Sequence, residues 1–126
     1  MLDHVAYPVA DYARSKAFYV QALAPLGYGL VKEVGQGGDW PGGGFGPQGR
    51  PHFWIATGTP INQPLHFAFM AQNRAAVDAF YGAALKAGGK DNGAPGLRPN
   101  YHANYYGAFV LDPDGYNIEA VCHLPE

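Results

Sequence analysis

Residues 4–23, HVAYPVADYARSKAFYVQAL, and residues 66–85, HFAFMAQNRAAVDAFYGAAL, fall into register without a gap when the chain is slid along itself by 62 positions. Eight of the twenty pairs are identical: His4/His66, Ala6/Ala68, Ala13/Ala75, Ala17/Ala79, Phe18/Phe80, Tyr19/Tyr81, Ala22/Ala84 and Leu23/Leu85. An alanine-rich chain supplies some matches by chance, but a histidine and a Phe-Tyr pair in the same register are a different matter. Two copies of one unit account for the pattern better.

Each copy opens on an alternating run, so Val5, Tyr7 and Val9 share one strand face, as do Phe67, Phe69 and Ala71. The opposite faces carry His4, Ala6 and Pro8, and His66, Ala68 and Met70. Asp11 and Asn73 then stand where helix N-caps belong. In the second helix Val77, Phe80, Tyr81 and Ala84 recur at helical spacing, a stripe that covers the bulky strand face. Gly27 and Gly88-Gly89 end the two helices.

Strand-like runs follow at residues 28–34 and 51–57 in the first half, and at 105–111 and 116–122 in the second. The last two flank Asp112-Pro113-Asp114-Gly115, a type I turn signal with Pro second and Gly fourth. If Asp112 pairs with Gly115, Ala108 lies opposite Glu119 and Phe109 opposite Ile118. Phe109 and Ile118 then face the helix, while Glu119, Ala108 and Tyr106 share the other side. The expected fold is α+β: two tandem βαβββ modules, about residues 1–60 and 63–126 of one domain. They form a curved, cup-like mixed sheet with the helices outside, and both histidines and Glu119 on the helix-free faces.

The bulk composition narrows the function. Gly and Pro number 18 and 11, yet 48% of residues are hydrophobic and 14% aromatic, enough to bury a core, so the glycines and prolines read as turns. A net charge of −2 with few, scattered Lys and Arg offers no footprint for nucleic acid or an anionic membrane. No apolar stretch approaches spanning length. The single cysteine, Cys122, forms no internal disulfide, and the first residues carry no export signal, so a cytoplasmic protein is expected.

Leu2-Asp3-His4-Val5, the Arg14-Ser15-Lys16-Ala17-Phe18-Tyr19 helix, Leu65-His66-Phe67-Ala68-Phe69 and Asp112-Pro113-Asp114-Gly115-Tyr116-Asn117-Ile118-Glu119 together resemble the vicinal oxygen chelate superfamily. It includes glyoxalase I, extradiol dioxygenases, epimerases, and fosfomycin- and bleomycin-resistance proteins. The resemblance covers nearly the whole chain and implies His4, His66 and Glu119 as ligands of a divalent metal (Fe, Mn, Ni, Co or Zn). Two His and one carboxylate are also the set that non-haem Fe(II) oxygenases use. Aligning His52-Phe53-Trp54-Ile55 with Asn117-Ile118-Glu119-Ala120 puts Trp54 where glyoxalase I has its fourth ligand, and an indole has no lone pair to offer a metal. The implied activity is therefore a metal-dependent lyase, isomerase or dioxygenase acting on a small vicinal-oxygen substrate, not glyoxalase I itself. The alternative is a non-catalytic small-molecule binding or resistance protein. Small members of the superfamily are commonly homodimers, which implies a second copy as partner; the site then lies either within one chain or across the dimer, with His4 from one chain and His66 and Glu119 from the other.

Two further segments are candidates for the pocket. The glycine-rich residues 35–49 lack the Lys-Ser/Thr of a phosphate loop and read as a mobile loop, with Trp40 and Phe45 placed to close over the cup. The polar, aromatic residues 96–106 precede a site strand. There Arg98 is a candidate for an anionic group, and Tyr101, His102 and Tyr106 are candidates for acid/base or orienting roles. Trp54 completes the expected pocket wall. His52 reads as a surface residue, and His123 is given no role.

Overall fold

A computed structural model describes all of residues 1–126. Strand β1 (Val5–Val9) leads into helix α1 (Tyr12–Ala22), a short 3₁₀ turn at Ala24–Leu26, and strands β2 (Gly29–Val34), β3 (Gly42–Gly46) and β4 (Phe53–Thr57). The second half repeats this as β5 (His66–Met70), α2 (Arg74–Lys86), β6 (Lys90–Leu97), β7 (Tyr106–Leu111) and β8 (Asn117–Cys122). The strands form two four-stranded mixed sheets of identical order, β1-β4-β3-β2 and β5-β8-β7-β6, which do not close on one another. This is the expected α+β pair of βαβββ modules.

The local signals act as their chemistry requires. The Asp11 carboxylate accepts from the Arg14 N–H at 3.1 Å, and the Asn73 side chain from the Ala76 N–H at 2.8 Å, so each helix starts on a capped amide. Val77, Phe80 and Ala84 are buried, as are Phe18, Tyr19 and Ala22 in the first helix. One apolar cluster runs through both modules, where Phe53 packs edge-on against Phe67 and Phe69, and Tyr7 stacks on Phe67 at 5.0 Å. Polar cross-links reinforce it: the Tyr116 hydroxyl donates to the Pro8 carbonyl at 2.7 Å and accepts from the Ile61 N–H at 2.9 Å. The helices pack on each other, and the helix-free sheet faces are open, with Ala6, Ala68 and Met70 exposed.

Two stretches differ from expectation. Residues 42–46, Gly-Gly-Gly-Phe-Gly, are no lid: they form β3, pair with both β2 and β4, and are buried throughout. Trp40 remains exposed outside it, while Phe45 lies fully in the core. Lys90–Leu97, unassigned from the sequence, is the edge strand β6, irregular at Gly93.

The β7–β8 hairpin is also one residue out of the expected register. The Gly115 N–H does bond to the Asp112 carbonyl at 2.9 Å, but the Asp112 N–H continues the ladder to the Tyr116 carbonyl, also at 2.9 Å. Gly115 sits at φ +85°, so the loop is a type I turn followed by a left-handed residue that adds a bulge. Phe109 therefore opposes Glu119, Val110 opposes Ile118 and Ala108 opposes Ala120. A one-residue slip exchanges faces. Ala108 and Tyr106 belong to the helix side, and Phe109 to the open side with Glu119.

Candidate functional site

Neighbouring strands β5, β8 and β7 bring His66, Glu119 and Phe109 onto the open face of the second sheet. The Glu119 carboxylate is 2% exposed, and both its oxygens are engaged. Oε1 accepts from the Tyr105 hydroxyl in a very short hydrogen bond, and Oε2 lies 2.9 Å from His66 Nε2. His66 Nδ1 lies 3.1 Å from the Asn117 carbonyl. A carbonyl only accepts, so Nδ1 carries the hydrogen and a neutral ring turns its Nε2 lone pair to the carboxylate. Two electron-rich atoms at 2.9 Å need a positive charge between them, either a proton or a metal ion. Burial and the carboxylate hold the Tyr105 phenol well above the usual tyrosine range, so Tyr105 stays a donor.

The donor pair fits a divalent metal. With bonds of about 2.1 Å, donors 2.9 Å apart span an angle of about 90°, suited to an octahedral or square-based sphere with neighbouring positions open. The Nδ1–H to carbonyl contact is the support metal-binding histidines ordinarily have.

His4 does not join this pair. No grouping of three or more His, Cys, Asp or Glu side chains poised for a metal occurs in the chain. His4 sits just before β1 on the open face of the first sheet, where Nδ1 pairs with the Asp3 carboxylate at 2.6 Å. That face holds a hollow of about 340 Å³ lined by Asp3, His4, Arg50, His52 and Trp54 among others. Trp54 pairs with Ala6 in β1, just as Glu119 pairs with Ala68 in β5. The indole and the carboxylate thus occupy the same place in the two modules. Glycine is needed below the indole: a Cβ at Gly44 would sit 2.7 Å from the Trp54 ring.

The remaining candidates divide. Arg98 reaches the open face, its guanidinium carbon 5.5 Å from the Phe109 ring centre, and Phe109 stacks on His66 at 6.0 Å. Tyr101 and His102 stay near Tyr105 rather than at the metal-type pair: Tyr101 packs against Tyr105 at 5.1 Å and is 62% exposed. His102 accepts from the Asn104 N–H and packs on His123, whose ring in turn lies 5.0 Å from Tyr105. Tyr106 faces the other way and donates to Asp78 of α2 at 2.8 Å. Tyr105, Phe109 and Asn117 are the site residues missed in the sequence, and the hairpin bulge, signalled by Gly115, would have revealed the first two.

A pair of βαβββ modules with an imidazole and a buried carboxylate on one open face defines a protein of the glyoxalase-like class. The sequence profile of the Glyoxalase/Bleomycin resistance protein/Dioxygenase superfamily matches residues 1–120, and the chain belongs to that superfamily. A glyoxalase/bleomycin resistance protein from Albidiferax ferrireducens T118 is 30% identical over 97% of this chain and 98% of its own, with a TM-score of 0.74. A glyoxalase I variant from Zea mays shares the fold at 23% identity and TM-score 0.71, with 95% of this chain covered against 46% of that one. A glyoxylase/bleomycin resistance protein/dioxygenase domain from Frankia sp. EAN1pec shares it at 16% identity and TM-score 0.73, over 98% of each chain. No curated protein matches the sequence.

Proposed function

We propose that the chain is a metal-dependent enzyme acting on a small molecule through two adjacent oxygens, with His66 and Glu119 of one copy and His4 of a second copy holding the metal. The observation that carries this reading is the buried Glu119 carboxylate facing His66 Nε2 at 2.9 Å. When bound, a divalent ion supplies Lewis acidity to the chelated oxygens. The chain's own groups do the positioning. The Asn117 carbonyl fixes the His66 tautomer, Tyr105 holds Oε1 of Glu119, and Trp54 gives the facing module a flat apolar wall. The separation of His4 from the pair, and the unpaired outer edges of β1 and β5, support a shared site in a homodimer.

Elemental analysis of protein purified without chelator, followed by Co(II) titration of wild type, His66→Ala and Glu119→Gln, tests this. Wild type is expected to bind up to one metal per site, and each variant to lose it. A wild type that takes up none of Fe, Mn, Ni, Co or Zn overturns the enzyme reading and leaves the non-catalytic binding protein.

A further inference from the structure

Arg98 is seated with unusual care for an arginine without an acidic partner. A Cβ at Gly96 would come 3.1 Å from its Nη1, closer than side chains ordinarily pack, so the glycine leaves room for the guanidinium. Nη2 donates to the Ala94 carbonyl at 2.8 Å, and Nη1 reaches the Leu97 carbonyl at 3.5 Å. The Phe109 ring flanks the planar group. The four ion pairs of the chain use Arg14, Lys16, His4 and His66, and none uses Arg98. Carbonyl contacts occupy part of a five-donor fork and neutralise none of its charge. What remains is a pre-oriented cation with free N–H groups, half-buried, on the face that carries Glu119.

Its place relative to the metal-type pair sets the shape of what it could meet. The His66 ring lies 6.0 Å from the Phe109 ring and the guanidinium carbon 5.5 Å from it, so imidazole and cation share one phenyl as neighbour. With both groups against one phenyl, a small ring-sized ligand can engage both ends if it chelates at one and is anionic at the other. Building on the metal-site reading, we propose that the substrate is such a carboxylate, its acid group held by Arg98 while its two adjacent oxygens meet His66 and Glu119. Held without reorganisation, the fork selects acids over neutral analogues of the same size.

The purely structural alternative is that Arg98 only ties down the turn that follows, where its backbone bonds to Tyr105 and Tyr101. Calorimetric titration with 3,4-dihydroxybenzoate and its neutral isostere 3,4-dihydroxybenzamide separates the two. Co(II)-loaded wild type is expected to bind the acid about tenfold or more tightly than the amide. Arg98→Gln should abolish that preference while leaving Co(II) affinity and amide affinity unchanged. Equal binding of acid and amide by wild type, binding of neither, or a preference that survives in Arg98→Gln overturns the proposal. If the protein takes up no Co(II), the metal reading fails, and the same titration on metal-free protein still decides the role of Arg98. Should Arg98→Gln fail to fold, Arg98→Lys keeps the charge without the fork and should lose part of the preference. A preference fully retained with Lys overturns the forked pairing.

Discussion

The Tyr105 hydroxyl donates to Oε1 of Glu119 and so leaves only Oε2 turned toward His66. The phenol is thereby a positioning residue, holding a carboxylate that would otherwise be free to rotate or to bind through both oxygens. Tyr105→Phe is expected to weaken Co(II) binding by roughly ten- to a hundredfold, the range typical when a partner behind a metal ligand is lost. Tyr106→Phe, which breaks only the hydrogen bond to Asp78, should leave Co(II) affinity unchanged. Equal losses in both variants would mean that the effect is general loosening of β7, and that Tyr105 has no special hold on the carboxylate.

Asp112 joins the two modules from the buried side. Its Oδ2 accepts from Tyr19 and Tyr7, and its Oδ1 from the Asp114 and Tyr116 N–H groups at 2.9 Å each. Burial raises its carboxyl above the ordinary value of 3.8, against the opposing pull of those hydrogen bonds. A folded-state pKa raised in this way gives stability that is fully present below the ordinary carboxylate range and is lost as pH climbs through the raised value. Asp112→Asn carries no such dependence. In urea unfolding from about pH 3.5 to about pH 6.5, wild type should lose stability relative to the Asn variant. Tyr19→Phe, which strips a donor from a buried acid, should cost about 1–3 kcal/mol. A pH-independent difference between wild type and Asp112→Asn would refute the buried-acid account.

How much of this was legible in the sequence follows from where side chains carry the signal. The duplication, both caps, both helices and the strands bearing His66 and Glu119 announce themselves through periodic apolar residues. Strand β3 does not, because Gly42, Gly43 and Gly44 offer no side chains to alternate, and its pairing is made by backbone alone. Its glycines answer to neighbours that only the assembled sheet shows, Gly44 to the Trp54 ring and Gly43 to the Tyr12 hydroxyl. Strand β6, with Gly93, Pro95 and Gly96, hides for the same reason. The hairpin register turned on a single left-handed glycine, Gly115. Reading the turn one residue short put Ala108 and Tyr106 beside Glu119 in place of Phe109 and Tyr105.

Sharing of the site between copies can be tested without a structure of the dimer. His4→Ala and His66→Ala each destroy both sites of their own homodimer. A mixed dimer keeps one site in which both histidines are native, on the chain pairing proposed above. After random exchange half the dimers are mixed, so about a quarter of wild-type sites should return, read as Co(II) bound per chain. Full-strength metal binding by His4→Ala alone, or no recovery on mixing, would show that His4 does not complete a partner's site.

Trp54 and Glu119 hold equivalent positions, one opposite Ala6 and the other opposite Ala68, so the two faces differ by an indole in place of a carboxylate. With the faces brought together across a dimer, a carboxylate at position 54 would stand beside His4 and complete a four-ligand set. Trp54→Glu should therefore bind Zn or Co(II) about tenfold or more tightly than wild type, despite the packing lost over Gly44. Trp54→Gln removes the same ring without adding a charged ligand and should show no such gain. Wild type is expected to give no useful lactoylglutathione formation from methylglyoxal and glutathione with Ni or Zn. Its Trp54 fluorescence should change as metal or a catechol enters, because the indole lies in the hollow beside His4. Robust glyoxalase turnover by wild type, or equal metal affinity in the Glu and Gln variants, would show that position 54 does not face the metal.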